Sequence, residues 1–276
     1  MTRLLRQLVA VVRMLRLLAH ALAGLWTLHL RFGRMSVAEQ HSAVQQWAQG
    51  VLRIMGIGLQ VHGRAQAGPV LLVANHISWL DIVVMLAAQY CRFVAKSELK
   101  AWPLIGPLAT AAGTLYIERA SSRDALRVVH HMAERLQAGD VLAVFPEGTT
   151  GDGVHVLPFH ANLLQAAIAA QAPAQAVGLR FVDAWGQPSF ATCYVGDDTF
   201  VGSVWRTLCA RGLVVHVAFA APDLPQGRNR RVWAVDLRAQ VMAVRGVSAL
   251  SPTRACGMVS ESAYAFLSTL FSGRNP

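Results

Sequence analysis

The spacing of hydrophobic positions along the chain changes character near residue 57. Over residues 1–33, Leu4, Leu8, Val11, Leu15, Leu18, Leu22 and Leu25 recur at helical spacing on one side. Arg3, Arg6, Arg13 and Arg16 fall within one arc on the other, so an amphipathic helix is predicted. Residues 36–55 predict a second helix. Ser36 is its N-cap, Glu39 completes a capping box, and Gly56 and Gly58 end it. Beyond that point short apolar runs take over. Residues 58–63 alternate as a strand does, and 69–74, 92–96, 115–118, 141–145, 176–181, 190–195 and 213–219 read as further strands. Helices are predicted at 78–86, 121–132, 161–170 and 231–244, the last with Val232, Val235 and Ala239 on one face. Strands alternating with helices indicate an α/β domain. The boundaries that follow are a helical pair over 1–55, an α/β domain over 56–245 and a tail over 246–276, where residues 263–271 suit a short apolar helix.

Composition sharpens the picture at the amino terminus. Of the 276 residues, 54% are hydrophobic and only 14% charged, against about 25% charged in ordinary soluble domains. That excess suits a chain in contact with lipid or a greasy ligand. The net charge of +10 admits nucleic acid, an anionic membrane or an acidic carrier protein as partner. Basic residues interleaved with apolar ones, without a nucleic-acid module, speak against nucleic acid. The charge-free run of residues 17–30 has fourteen residues, short of the about 20 of a membrane span. The first helix is therefore predicted to lie in the membrane interface, with Trp26 at headgroup level and Arg31 and Arg34 at anionic phosphates. Packing of its apolar face on its own domain is the competing arrangement. Cys91, Cys193, Cys209 and Cys256 are scattered without a C-x-x-C pair, so reduced thiols are expected. No metal site is expected either; the side chains of the adjacent His130 and His131 diverge on a helix.

The candidate chemistry begins at residues 70–84. An apolar run stops at Asn75-His76, and Asp81 follows five residues after the histidine. Sites of α/β folds lie at the carboxyl ends of strands. An imidazole there can take a proton from a hydroxyl, and a buried carboxylate on its other nitrogen fixes the tautomer. No serine or cysteine nucleophile is needed if the substrate brings its own hydroxyl. A lone H-x-x-x-x-D also fits a structural pair that caps a turn. Two other strand ends carry polar residues. Arg119 follows residues 115–118 beside a helix start, an arrangement suited to anions, and the run 141–145 ends in Pro146-Glu147-Gly148-Thr149-Thr150. A lipase-like hydrolase should carry G-x-S-x-G after a strand, and no such pentapeptide occurs.

Read together, N-H-I-S-W-L-D at 75–81, G-T-L-Y-I-E-R at 113–119 and F-P-E-G-T at 145–149 resemble the first three motifs of the glycerolipid acyltransferases. Within that family the chain most resembles the bacterial PlsC-type 1-acyl-sn-glycerol-3-phosphate acyltransferases, over roughly residues 50–220 and with the motifs in order. The resemblance implies a mixed, largely parallel sheet flanked by helices, with the amino-terminal pair resting on the membrane. It makes His76 the general base and Asp81 its orienting partner. Arg119 would contact the acceptor's phosphate. Glu147, Gly148 and Thr149 would bind the glycerol-phosphate part, with Lys96 or Lys100 adding positive charge. No cofactor is implied; acyl-CoA or acyl carrier protein supplies the thioester, and a lysolipid is the acceptor. The expected location is the cytoplasmic face of the inner membrane, peripheral or monotopic. Trp79, Ile82 and Leu86 are candidates for an acyl groove and equally for ordinary core. Two positions depart from the family pattern. Thr150 stands where many relatives have arginine, and residues 174–179 carry Gly178 where the fourth motif has a proline. Relatives with the same histidine and aspartate acylate other lysolipids, lyso-ornithine lipids among them.

Overall fold

The computed structural model describes residues 3–117 and 122–246. Their seven strands form one sheet in the order β1-β7-β6-β2-β5-β3-β4. The ranges are β1 Ile57–His62, β2 Val70–Ala74, β3 Arg92–Lys96, β4 Leu115–Ile117, β5 Val141–Val144, β6 Ala174–Val182 and β7 Leu213–Asp223. All neighbours are parallel except β6 and β7. The helices are α1 Arg3–Leu30, α2 Val37–Met55, α3 Leu80–Ala88, α4 Ile105–Ala111, α5 Ser122–Gln137, α6 Leu164–Ala170, α7 Phe200–Cys209 and α8 Arg230–Val244. The expected mixed, largely parallel sheet flanked by helices is what forms.

β2 lies between β5 and β6, and all five of its residues are buried. A parallel strand covered on both faces reads as a continuous apolar run, which explains V-L-L-V-A. Its side chains alternate between two cores. Val70, Leu72 and Ala74 meet Leu80 and Val84 on one face. Leu71 and Val73 meet Met132, Leu136, Trp233 and Leu237 on the other. The buried stripe of α8 is thus Trp233, Leu237 and Val241, and the shared face of Val232, Val235 and Ala239 is the exposed one.

Residues 190–195 were expected to be a strand and are not. Side chains of α7, absent from the sequence-based assignment, take up that segment's carbonyls. Thr207 Oγ1 donates to Ala191 O at 3.1 Å, and Arg206 donates to Ala191 O and Cys193 O. No ladder partner is needed once these groups are satisfied. The carboxy-terminal helix expected at 263–271 lies outside the described residues.

The amino-terminal helices differ from expectation in two ways. α2 has the Ser36–Glu39 capping box and the left-handed Gly56 cap that the sequence indicated. Yet its Ala48, Val51, Leu52 and Met55 are core residues, and its Gln45 and Gln49 amides donate to the Ala87 carbonyl. α1 is one continuous helix of 28 residues, about 42 Å at 1.5 Å per residue. By length and composition it could cross a membrane, which the fourteen-residue run had not suggested. Arg13, expected on the polar face, turns inward: its Nη1 donates to Leu208 O and Ala210 O, 2.8 and 2.9 Å away, at the end of α7. An arginine is favourable at a helix carboxyl end, where carbonyls lack partners. His20 likewise turns inward. Its Nε2 lies 3.0 Å from Trp47 O, and Trp47 Nε1 donates back to His20 O at 3.3 Å. Leu4, Leu8, Leu15, Leu22 and Trp26 remain exposed along the opposite side.

The helix pair approaches closely because Gly50 has no side chain; a Cβ there would lie 2.6 Å from the His20 ring. Gly50→Leu is expected to push α1 off α2 at a cost of about 1–3 kcal/mol, as overpacking does. Thermal unfolding of the purified protein should show a lower Tm; an unchanged Tm would mean that α1 is not docked on α2 in solution.

Candidate active site

β2 ends at Ala74 and the chain turns before α3. Asn75 fixes the exit by bonding both ways to β6: its Nδ2 donates to Leu179 O at 3.1 Å and its Oδ1 accepts from Leu179 N at 2.7 Å. The next residue is His76. Its Nδ1 lies 2.8 Å from Asp81 Oδ2, and Asp81 is fully buried in the first turn of α3. The same oxygen accepts from Ile77 N at 2.5 Å and Ser78 N at 2.8 Å. An ionised carboxylate only accepts, so Nδ1 carries the proton and Nε2 is left with its lone pair. The imidazole lies flat on Phe145, with centroids 4.1 Å apart and planes 10° apart, and Phe145 rests in turn on Phe93. The side chain of His76 keeps 18% exposure.

Glu147, just past β5, closes this turn from the other side. Its Oε1 accepts from His76 N and its Oε2 from Leu157 N, both at 2.6 Å. The residue is 3% exposed. Both carboxylate oxygens are committed to backbone, so Glu147 is a clamp on the loop that holds His76 rather than a contact for glycerol phosphate. Burial pushes its carboxyl up to about 7, against the pull of the two N–H bonds and the charges of His76 and Arg245. The loop is tied further by Gly151 N, which donates to His76 O at 2.8 Å, and by His160 N, which donates to Pro146 O at 2.8 Å.

The other residues singled out in the sequence fall into three groups. Gly148 has φ 72° and is exposed, and Thr149 is half-buried beside it. Lys96 and Lys100 are exposed at and just beyond the carboxyl end of β3, the edge on which His76 and Glu147 sit. Arg119 lies outside the described residues. Thr150 is turned away from a ligand role: its hydroxyl donates to Tyr194 O. Of the acyl-groove candidates, Leu86 is core, and Trp79 is held by Ser203 Oγ at 3.2 Å and the edge of Phe200. Among the described residues no group of three or more histidine, cysteine or acidic side chains could hold a metal ion.

Two participants were missed in the sequence. Asn75 was legible in principle, since a polar residue ending a buried strand needs partners. Arg245 was not. It closes α8, far along the chain, and is 5% exposed beside Glu147.

Comparison with known proteins identifies the family. Residues 58–180 match the family model described as Acyltransferase. The 1-acyl-sn-glycerol-3-phosphate acyltransferase of Neisseria meningitidis is 36% identical, over 74% of this chain and 81% of its own length. The chain belongs to the acyltransferase family. The lyso-ornithine lipid O-acyltransferase of Pseudomonas aeruginosa is 34% identical to this acyltransferase, over 75% of the chain and 80% of its own length. The crystal structure of the 1-acyl-sn-glycerophosphate acyltransferase PlsC from Thermotoga maritima superposes with a TM-score of 0.68, covering 91% of this chain and 100% of the other. At 18% identity that likeness concerns the fold.

The raised carboxyl of Glu147 has a consequence for stability. Its folded pKa of about 7 exceeds the ordinary 4.5, so the native state holds a proton that the unfolded chain releases first. The resulting stabilisation is full below about 4.5 and is lost as pH rises through about 7. Chemical denaturation across that range should show stability falling with pH in the wild type and a shallower fall in Glu147→Gln. Equal slopes would mean that the carboxyl is not perturbed.

Proposed function

We propose that the acyltransferase moves a fatty acyl group from a thioester to the free hydroxyl of a lysophospholipid, with 1-acylglycerol-3-phosphate as acceptor and phosphatidic acid as product. The observation that carries the mechanism is the 2.8 Å contact between His76 Nδ1 and Asp81 Oδ2, which engages Nδ1 and leaves Nε2 as the nitrogen that can take a proton. His76 Nε2 removes the hydroxyl proton as the oxygen attacks the thioester carbonyl. The new ester forms, the carbon–sulfur bond breaks, and the thiolate takes up a proton from the imidazolium. Asp81 holds the ring and offsets its transient charge. Phe145 keeps the ring from rotating out of line. Acyl-CoA and acyl carrier protein both supply such a thioester.

The acceptor's phosphate would meet Lys96, Lys100 and Arg119, the cations at the carboxyl edge of the sheet or next to it in sequence. A second acceptor is favoured by a specific observation. Thr150, where many relatives carry arginine, spends its hydroxyl on Tyr194 O. Relatives from Pseudomonas aeruginosa and Brucella abortus, 34% and 44% identical, are lyso-ornithine lipid O-acyltransferases. Lyso-ornithine lipid is therefore the alternative acceptor.

The exposed side of α1, with Leu4, Leu8, Leu15, Leu22 and Trp26, would enter the lipid on the cytoplasmic face, and Arg3, Arg6 and Arg16 would lie at anionic headgroups. That face delivers a two-dimensional substrate to His76 without the acceptor leaving the bilayer.

Three measurements test the reading. His76→Ala should lower turnover by ~10²–10⁴-fold, the usual worth of general-base assistance, while lysolipid binding persists; normal turnover would remove His76 from the mechanism. Offering the protein lysophosphatidic acid and lyso-ornithine lipid with both donors, and weighing the products, decides the acceptor; transfer to lyso-ornithine lipid alone would replace the first choice. Leu8→Glu with Leu15→Glu should reduce flotation with anionic vesicles, and undiminished flotation would count against α1 as the membrane contact.

A further inference from the structure

α8 reaches the catalytic loop from a part of the chain beyond the matched residues 58–180. Two of its arginines spend themselves on that loop. Arg238 Nε donates to Val156 O and Leu157 O, each at 3.0 Å. Arg245 goes deeper. Its Nε donates to Leu179 O at 3.0 Å, its Nη1 to Val154 O at 3.2 Å, and its Nη2 to Gly153 O. Leu179 O is also the acceptor for Asn75 Nδ2, so one guanidinium joins β6, the strand exit at His76 and the loop that carries Leu157.

This approach depends on Gly178. A Cβ there would lie 2.9 Å from Arg245 N and 3.0 Å from its Cα, so any side chain would force the end of α8 outward. A glycine inside a strand often marks such a close passage of backbone. The departure from the family's fourth motif is thus a docking point for Arg245.

We infer that Arg245 is a positioning residue for His76, acting through the loop of residues 151–157 and the carboxylate of Glu147. The route is continuous. Arg245 fixes Gly153 O and Val154 O; the loop then presents Leu157 N to Glu147 Oε2 and Gly151 N to His76 O. Glu147 Oε1 holds His76 N. The inference rests on His76 being the base.

Charge runs along the same route. The guanidinium of Arg245 faces the carboxylates of Glu147, Asp152 and Asp81, with Arg180 as an opposing cation. Glu147 is faced by Arg245 and by His76, and its neighbour Gly148 lies against the His160 ring. The two-bond grip of Glu147 suits the ionised carboxylate, because a proton on either oxygen weakens one of the bonds. Removing the charge of Arg245 favours that proton, so the grip is lost at a higher pH.

The test is steady-state kinetics of the full chain in mixed micelles, with folding followed by thermal unfolding. Arg245→Gln is expected to lower kcat by ~10–100-fold, the scale of a small misplacement of a catalytic group, with the lysolipid KM little changed. Its acid limb should move to higher pH. Arg245→Lys keeps the charge but not the planar fork, so kcat should fall without that movement. Gly178→Ala, which touches neither His76 nor Glu147, should lower kcat by displacing the end of α8. Wild-type kcat and acid limb in a folded Arg245→Gln would overturn the inference, as would a change confined to KM. Should Arg245→Gln not fold, wild-type kcat in both Arg245→Lys and Gly178→Ala overturns it. An active His76→Ala would instead refute the base on which the inference rests; an inactive His76→Ala beside normal Arg245 variants would sink this inference alone.

Discussion

A carboxylate with no exposure must gather donors or give up its charge, and Asp81 gathers three on one oxygen. Two are backbone N–H groups of the turn and one is the imidazole. That single requirement sets the shape of the strand-to-helix turn and fixes which nitrogen of His76 is protonated. Desolvated charge is costly unless it is bonded. The turn therefore cannot relax without stripping the bonded oxygen of Asp81 of its donors, and the imidazole of His76 is held in place by the cost of that failure.

Glu147 applies the same logic from the neighbouring strand. It too is buried, and it too is satisfied by backbone, at His76 and Leu157. The two carboxylates grip opposite sides of one residue, the first by its ring and the second by its amide. Their positions follow from the parallel pairing of β2 with β5, which delivers both loops to one edge of the sheet. The third motif therefore works as a brace for the first. The braces extend outward through the 151–157 loop to α8, whose Arg238 and Arg245 occupy carbonyls of that loop.

Much of this was legible in the chain. V-L-L-V-A read as a buried strand, and a polar pair at its end then falls at the carboxyl edge of the sheet. Ser36 with Glu39, and Gly56 after them, marked the bounds of α2 through local hydrogen bonding alone. The segment at 190–195 misled because alternation of apolar residues implies a half-buried surface, not a ladder. Whether a ladder forms depends on what else offers donors to its carbonyls, and Thr207 and Arg206 did so. Arg13 misled for a related reason. Helical periodicity says which face a residue is on and nothing about whether a neighbouring helix ends there.

By itself the sequence determined the α/β class and the candidate dyad of His76 and Asp81, because both are written in local patterns of polarity and spacing. Tertiary structure alone decided the tasks of Glu147, Arg245 and Gly178. A glutamate in a polar loop looks free to bind substrate until both its oxygens are found on backbone N–H groups. Gly178 looks like a missing proline until the end of α8 is found against it. Arg245 lies 98 residues beyond Glu147, and no local rule connects them. Burial and hydrogen-bond partnership are properties of the folded surroundings, and only the packing of α8 on the sheet supplies them.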